Sequence, residues 1–389
     1  MRISDIREAT ASISSNIRNA YVDFSQMTVS VIAVESDVVR HGRPVTGYGF
    51  CSNGRYAQGG ILRERLMPRL RAAAGGALLN DAGDNFDPRK IRTIMLTNEK
   101  PGGHGDRAVA AAAVDMAVWD LMAKLAERPL WRFLSENYNG GGHDERVLVY
   151  PGGGYYHPGK GLKDLQDEVR GYLDQGYKAV KIKIGAASMA EDLARIEAVM
   201  DVTGDGGDLA VDANGRFDLA TALAYGKAMQ PFDLFWFEEP GDPLDFALNA
   251  ELAAHYPGAI ATGENLFSLQ DARNLMRHGG MRPDRDWIQL DPALCYGLTE
   301  YLDVIDMVEG MGWSRRRIVP HGGHQLGLAM TAGLQLGGSE SYPGVFQPFG
   351  GFADDIEIAD GMARPGEHIG IGMEAKATLF AEIQSLVGV

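Results

Sequence analysis

The chain has 389 residues, enough for two or three domains with cores of their own, and its 37 Lys plus Arg against 52 Asp plus Glu give a net charge of −15. A field of that sign repels nucleic acid and anionic lipid, and 45% apolar with 23% charged residues is the make-up of an ordinary folded protein, not of a disordered or fibrous one. Cys51 and Cys295 stand too far apart for a disulfide framework or a zinc-ligand spacing; with no apolar leader after Met1 and no run near the ~18 apolar residues of a membrane span, the expected setting is the cytoplasm.

Residues 28–33 and 46–50 are short, β-branched or aromatic, and separated by turn residues, which predicts antiparallel hairpin material. A helical region follows from Asp106 to about Asn137, broken near Arg128-Pro129, so residues 1–140 form an α+β unit. Beyond it, strands and helices alternate. Candidate strands are Val147–Tyr150, Ala179–Ile184, Leu209–Ala213, Leu234–Glu238, Ala259–Gly263, Trp287–Asp291, Ile318–His321 and Gly344–Gln347. Eight strands with helical segments such as Glu191–Met200 and Leu219–Met229 between them predict a (β/α) barrel over 141–350. Their 201 positions are few beside the ~250 typical of that fold but within its range. The tail, 351–389, ends in a helix-like stretch from Glu374 to Leu386 and is expected to return to the N-terminal unit. The 50 glycines gather in turns such as Gly152-Gly153-Gly154 and Gly322-Gly323.

What decides function is where each strand stops. Lys183, Asp212, Glu238, Glu264, Asp291 and His321 fall at or just after the ends of strands two to seven, at intervals of 29, 26, 26, 27 and 30 residues. Barrel strand ends converge on one mouth, so these residues become one ring in space. Asp212, Glu238 and Glu264 on adjacent strands bring three carboxylates together, which calls for a cation; three hard oxygen ligands suit Mg²⁺. A lone acid at such a place more often caps the next helix; three in register weigh against that reading. Lys181 and Lys183 alternate with Val180, Ile182 and Ile184, so both lysines point into the barrel, where repulsion and desolvation are expected to lower an amine's pKa toward that of a useful base. Asp291 and His321 can pair as a carboxylate–imidazole dyad.

Lys181-Ile182-Lys183, Asp212-Ala213-Asn214, Phe237-Glu238-Glu239-Pro240, Gly263-Glu264-Asn265, Asp291 and Pro320-His321-Gly322, in that order, resemble the mandelate racemase-like subgroup of the enolase superfamily over essentially the whole chain. The resemblance implies a (β/α)7β modified TIM barrel under an α+β capping domain, a homo-oligomer, and Mg²⁺ on Asp212, Glu238 and Glu264. It also implies Lys183 and the His321–Asp291 dyad as base and acid on opposite faces of a hydroxy-acid substrate, with Lys181 beside them. A Lys or His base with Mg²⁺ stabilising an enediolate is that superfamily's known chemistry. Within the subgroup the chain most resembles acid-sugar dehydratases, with D-tartrate as the expected substrate and oxaloacetate as product.

Two positions depart from the family's pattern. Gln347 stands where many relatives end the eighth strand with a Glu that meets the substrate carboxylate; an amide can donate there but cannot supply a proton. Phe50-Cys51-Ser52-Asn53 stands where an acidic residue is expected after Gly49. A four-carbon diacid needs a cation for its second carboxylate, and Lys100, in the turn-rich segment 98–103, is the preferred anchor, with Arg55 as the other available cation and Asn53, Tyr56 and Asn214 as further candidate contacts. A racemase or epimerase would use the same Lys, His and metal. A Schiff-base aldolase would use Lys183 as nucleophile but has no need of three carboxylates. A non-catalytic binding protein on the same scaffold stands last.

Overall fold

The computed structural model describes residues 1–13, 15–51 and 55–388. Three antiparallel strands open the chain in the order β1 (Ile3–Ile13), β2 (Met27–Arg40) and β3 (Arg43–Phe50). The alanine-rich helix Asp106–Leu125 lies against β3 at very short range. Gly47 and Gly49 make that approach possible: a Cβ at 47 would sit 2.1 Å from the Ala117 carbonyl oxygen, and one at 49 would sit 2.3 Å from that of Ala113. The helix ends at Leu125, and a second runs from Leu130 to Tyr138 after Pro129, which is where the sequence places the break.

The barrel strands are β4 (Val147–Gly153), β5 (Val180–Lys183), β6 (Leu209–Asp212), β7 (Trp236–Glu238), β8 (Ile260–Thr262) and β9 (Trp287–Ile288), parallel and in sequential order. The seventh position is a single parallel bridge, Ile318 to Ile288, and the eighth strand is β10 (Ser339–Ser341), which pairs with β4. Gly337 N–H donating to the Ile318 carbonyl at 2.8 Å joins these two and closes the ring. Seven helices alternate with eight strand positions, which is the (β/α)7β order. Below the mouth the interior is filled by Tyr150 and Trp236, edge-to-face at 5.1 Å, with Ala179, Ala210, Ala261 and Val319 making room for them.

The eighth strand is not Gly344–Gln347. That stretch is a turn, with Phe349 and Gly350 N–H both donating to the Phe346 carbonyl, because Pro343 and Pro348 withhold ladder donors. The tail pairs twice. β11 (Ile358–Ala359) and β12 (Met362–Ala363) form a hairpin whose second strand runs antiparallel to β4, and the helix Ala377–Val387 packs on β1 and β2, with Phe380 edge-on to Tyr48 at 5.8 Å. Among the described residues no helix is long and apolar enough to cross a membrane.

Candidate active site

Register builds the site. Lys183 is the Cα partner of Asp212 on β6, and Asp212 is the partner of Glu238 on β7, so one layer of the sheet delivers three ionisable side chains to the mouth. Period-two alternation turns Lys181 inward one layer below, and both lysines are buried. Lys181 Nζ lies 2.5 Å from Glu238 Oε1, 2.8 Å from Glu340 Oε1 and 3.9 Å from Asp212 Oδ2, while Lys183 Nζ donates to Asp212 Oδ2. Trp236 Nε1 and Gln289 Nε2 donate to Glu238 Oε2 at 2.8 and 3.0 Å. Asn214, at φ +47°, gives its backbone and side-chain N–H groups to Asp212, so it braces that carboxylate.

Across the ring His321 Nδ1 meets Asp291 Oδ2 at 2.9 Å, and Nε2 lies 3.1 Å from Glu264 Oε2 and 3.6 Å from Glu340 Oε2. The dyad forms as its sequence spacing suggests. Burial works against a charged imidazole, but Glu264, Glu340 and the Asp291 bond outweigh it and push His321 up to about 9. The expected lowering of the lysines does not occur. Burial opposes their charge, yet Glu238 and Glu340 around Lys181, and Asp212 beside Lys183, raise both amines above the ordinary lysine range. The carboxylates in contact with each amine outweigh both its burial and the repulsion between the two lysines.

Oxygens of Asp212, Glu238 and Glu264 lie within 4.8 Å of one another, all three buried. Glu264 Oε2 is buried and accepts no well-directed hydrogen bond among the described residues, although His321 Nε2 stands 3.1 Å away. An all-oxygen, all-carboxylate donor set with an unsatisfied buried oxygen fits Mg²⁺ and not a softer metal. Glu340, missed in the sequence, occupies the strand-end place expected of Gln347. Gln347 is instead spent within its own turn, its amide N–H groups on the carbonyls of Tyr342 and Gly350 and its Oε1 3.1 Å from Lys376 Nζ.

A cleft of about 750 Å³ opens above Glu264, Asn265 and Asn214, walled by capping residues including Tyr21, Asp23, Arg55, Tyr56 and Asp106. Arg55 Nη2 donates to Asn265 Oδ1 at 2.5 Å and stands 4.0 Å from Glu264 Oε1. Asn265 in turn holds Glu239, a buried acid of the 237–240 motif with no role assigned from sequence, through bonds of 2.9 and 3.1 Å. Tyr56 is exposed at the cleft, Lys100 is exposed outside its lining, and Asn53 lies outside the described residues.

Residues 24–135 match the family described as mandelate racemase / muconate lactonizing enzyme, N-terminal domain, and residues 164–379 match the enolase C-terminal domain-like family. The chain belongs to the mandelate racemase-like group of the enolase superfamily. Within it, the arabinonate dehydratase of Saccharolobus solfataricus is 30% identical over 72% of this chain and 74% of its own length. The L-talarate/galactarate dehydratase of Salmonella typhimurium is 31% identical over 74% of this chain and 69% of its own. A racemase from Streptomyces coelicolor, solved with bound magnesium, superimposes over 99% of both chains with TM-score 0.81 and 26% identity. Magnesium is thus the ion that accompanies this fold in a solved relative, in agreement with the donor set here.

Proposed function

We propose that this enzyme of the Mg²⁺-dependent acid-sugar dehydratase family acts on D-tartrate and releases oxaloacetate. The observation that carries the reading is the opposition of Lys183, on Asp212, to His321, on Asp291, across the carboxylate triad. Two proton-handling groups on opposite sides of one metal site suit an elimination in which one takes a proton and the other gives one. Asp212, Glu238 and Glu264 would hold Mg²⁺, whose chemistry there would be Lewis-acid stabilisation of the negative charge that grows on the substrate carboxylate. Lys183, once its amine is neutral, removes the α-proton; Lys181 fixes Glu238 and Glu340 and keeps the buried charge balanced. His321, holding a proton on Nε2, gives it to the departing β-hydroxyl, while Asp291 keeps Nδ1–H in place. The resulting enol ketonises to the 2-keto acid.

Arg55 at the cleft wall supports a diacid, since a second carboxylate pointing away from the metal would otherwise be desolvated without a partner. The cleft volume of about 750 Å³ favours a second reading, a longer sugar acid of the kind named for the relatives. Incubation with Mg²⁺ and a panel of diacids and sugar acids separates them. D-tartrate is expected to give oxaloacetate with the highest kcat/KM. Faster turnover of a six-carbon sugar acid would overturn tartrate alone; racemised substrate with no keto acid would overturn the elimination, and borohydride trapping of substrate on Lys183 would point to an aldolase.

A further inference from the structure

The glycine clusters around 152 and 322 have no part in the chemistry above, yet two of their members shape one slot. A Cβ on Gly152 would lie 2.7 Å from the Tyr342 ring, and one on Gly323, at φ +57°, would lie 2.4 Å from it. No side chain fits at either place while the ring is there. Tyr342 is 3% exposed, two residues past Glu340, with its ring edge-on to Phe346 at 5.1 Å. The slot delivers the phenol oxygen to a point 3.1 Å from Glu340 Oε2 and 3.0 Å from His321 Nε2.

A hydroxyl has one proton to give. Glu340, ion-paired to Lys181 through Oε1, accepts it on Oε2, which leaves a lone pair of the Tyr342 oxygen to accept from His321 Nε2–H. Asp291 accepts from the Nδ1 end. The imidazole is therefore pinned at both nitrogens, and the Nε2 end faces the mouth beside Glu264.

We propose that Tyr342 is a positioning residue for proton donation by His321: its hydroxyl, anchored on Glu340, aims Nε2–H at the reacting face and cedes that place to the departing hydroxyl of the substrate. The role rests on the dehydratase reading above. In the step it serves, the C–O electron pair leaves with the oxygen, the Nε2–H bond breaks and an O–H bond forms, so water departs. The α C–H pair, its proton taken by Lys183, becomes the new C=C bond, and His321 is left neutral with Nδ1–H on Asp291.

Tyr342→Phe keeps the ring in its slot and removes only the hydroxyl. In D₂O with Mg²⁺ and D-tartrate, elimination should fall about ten- to a hundredfold in kcat with KM within about twofold. Exchange of the α-proton into recovered substrate should persist, and Tm should stay near that of the parent. Equal loss of exchange and elimination, or no loss of either, overturns the proposal. An arm that needs no turnover is NMR of ¹⁵N-histidine enzyme with Mg²⁺: the His321 Nε2–H resonance should shift or exchange away in Tyr342→Phe while Nδ1–H stays, and an unmoved Nε2–H overturns the proposal. A parent enzyme that neither exchanges nor eliminates any acid would overturn the dehydratase reading, and the NMR arm would still decide the role of Tyr342.

Discussion

The charged ring at the barrel mouth and the capping loops above it are built by different rules. At the mouth, parallel strands in register set Lys183, Asp212 and Glu238 side by side, so place in the sequence translates directly into place in space. The upper wall of the cleft is drawn from residues 19–27, 55–56 and 106, which sit in turns and at element ends with no period to relate them. The proposed reaction would thus be mounted on rigid, repeated elements, and the proposed contacts to the far end of the substrate on irregular ones.

Stripping the metal should damage the mouth alone. EDTA is expected to reduce turnover by about a thousandfold or more and added Mg²⁺ to restore it, with the Tm of the capping domain scarcely changed; Glu238→Gln should be as inactive and not be rescued. Activity that survives exhaustive chelation would show that the carboxylate ring at the mouth does not work through a metal.

The seam between the two regions should respond to pH. Asp115, buried in the capping helix Asp106–Leu125, accepts from the Thr299 N–H and hydroxyl at the start of the barrel helix Leu298–Gly310. Burial raises its carboxyl to about 7, against the pull of the Thr299 donors and Arg92. The folded protein therefore holds this proton more tightly than the unfolded chain. The stability it contributes is full below about pH 4 and is lost as pH rises through about 7, a difference of a few kcal/mol at about 1.4 kcal/mol per decade. Unfolding free energies of the parent and Asp115→Asn, measured from pH 4 to 8, should differ in slope across that window; parallel curves would deny the shift.

In the cleft the expected effects are smaller. Arg55→Met should raise KM for D-tartrate about tenfold, the scale of one lost charged hydrogen bond, and leave an acid with a neutral tail within about twofold. Lys100→Met should change either substrate by less than about twofold, because its side chain is exposed outside the cleft lining. A selective loss of tartrate activity in Lys100→Met would show that the 98–103 segment moves over the mouth.

The ring was legible because one ionisable residue recurs per βα unit, and the alternation of lysines with aliphatics was enough to turn Lys181 and Lys183 inward. Glu340 escaped because Gly337-Gly338-Ser339-Glu340-Ser341 has no β-branched residue; it is a strand only because the edge of β4 needs a partner. It also breaks the interval, since the helix Gln325–Leu334 begins four residues after His321 and brings the last strand back early. The preference for Lys100 over Arg55 as the anchor of a second carboxylate has no such periodicity behind it. Which loop cation faces a cleft depends on tertiary packing, here the bond of Arg55 to Asn265, a residue 210 positions away.

The division of labour across the ring is tested most directly by isotope exchange. With Mg²⁺ and D-tartrate in D₂O, His321→Asn is expected to exchange the α-proton without forming oxaloacetate, and Lys183→Ala to do neither. Exchange by Lys183→Ala with none by His321→Asn would reverse the two roles and contradict the account.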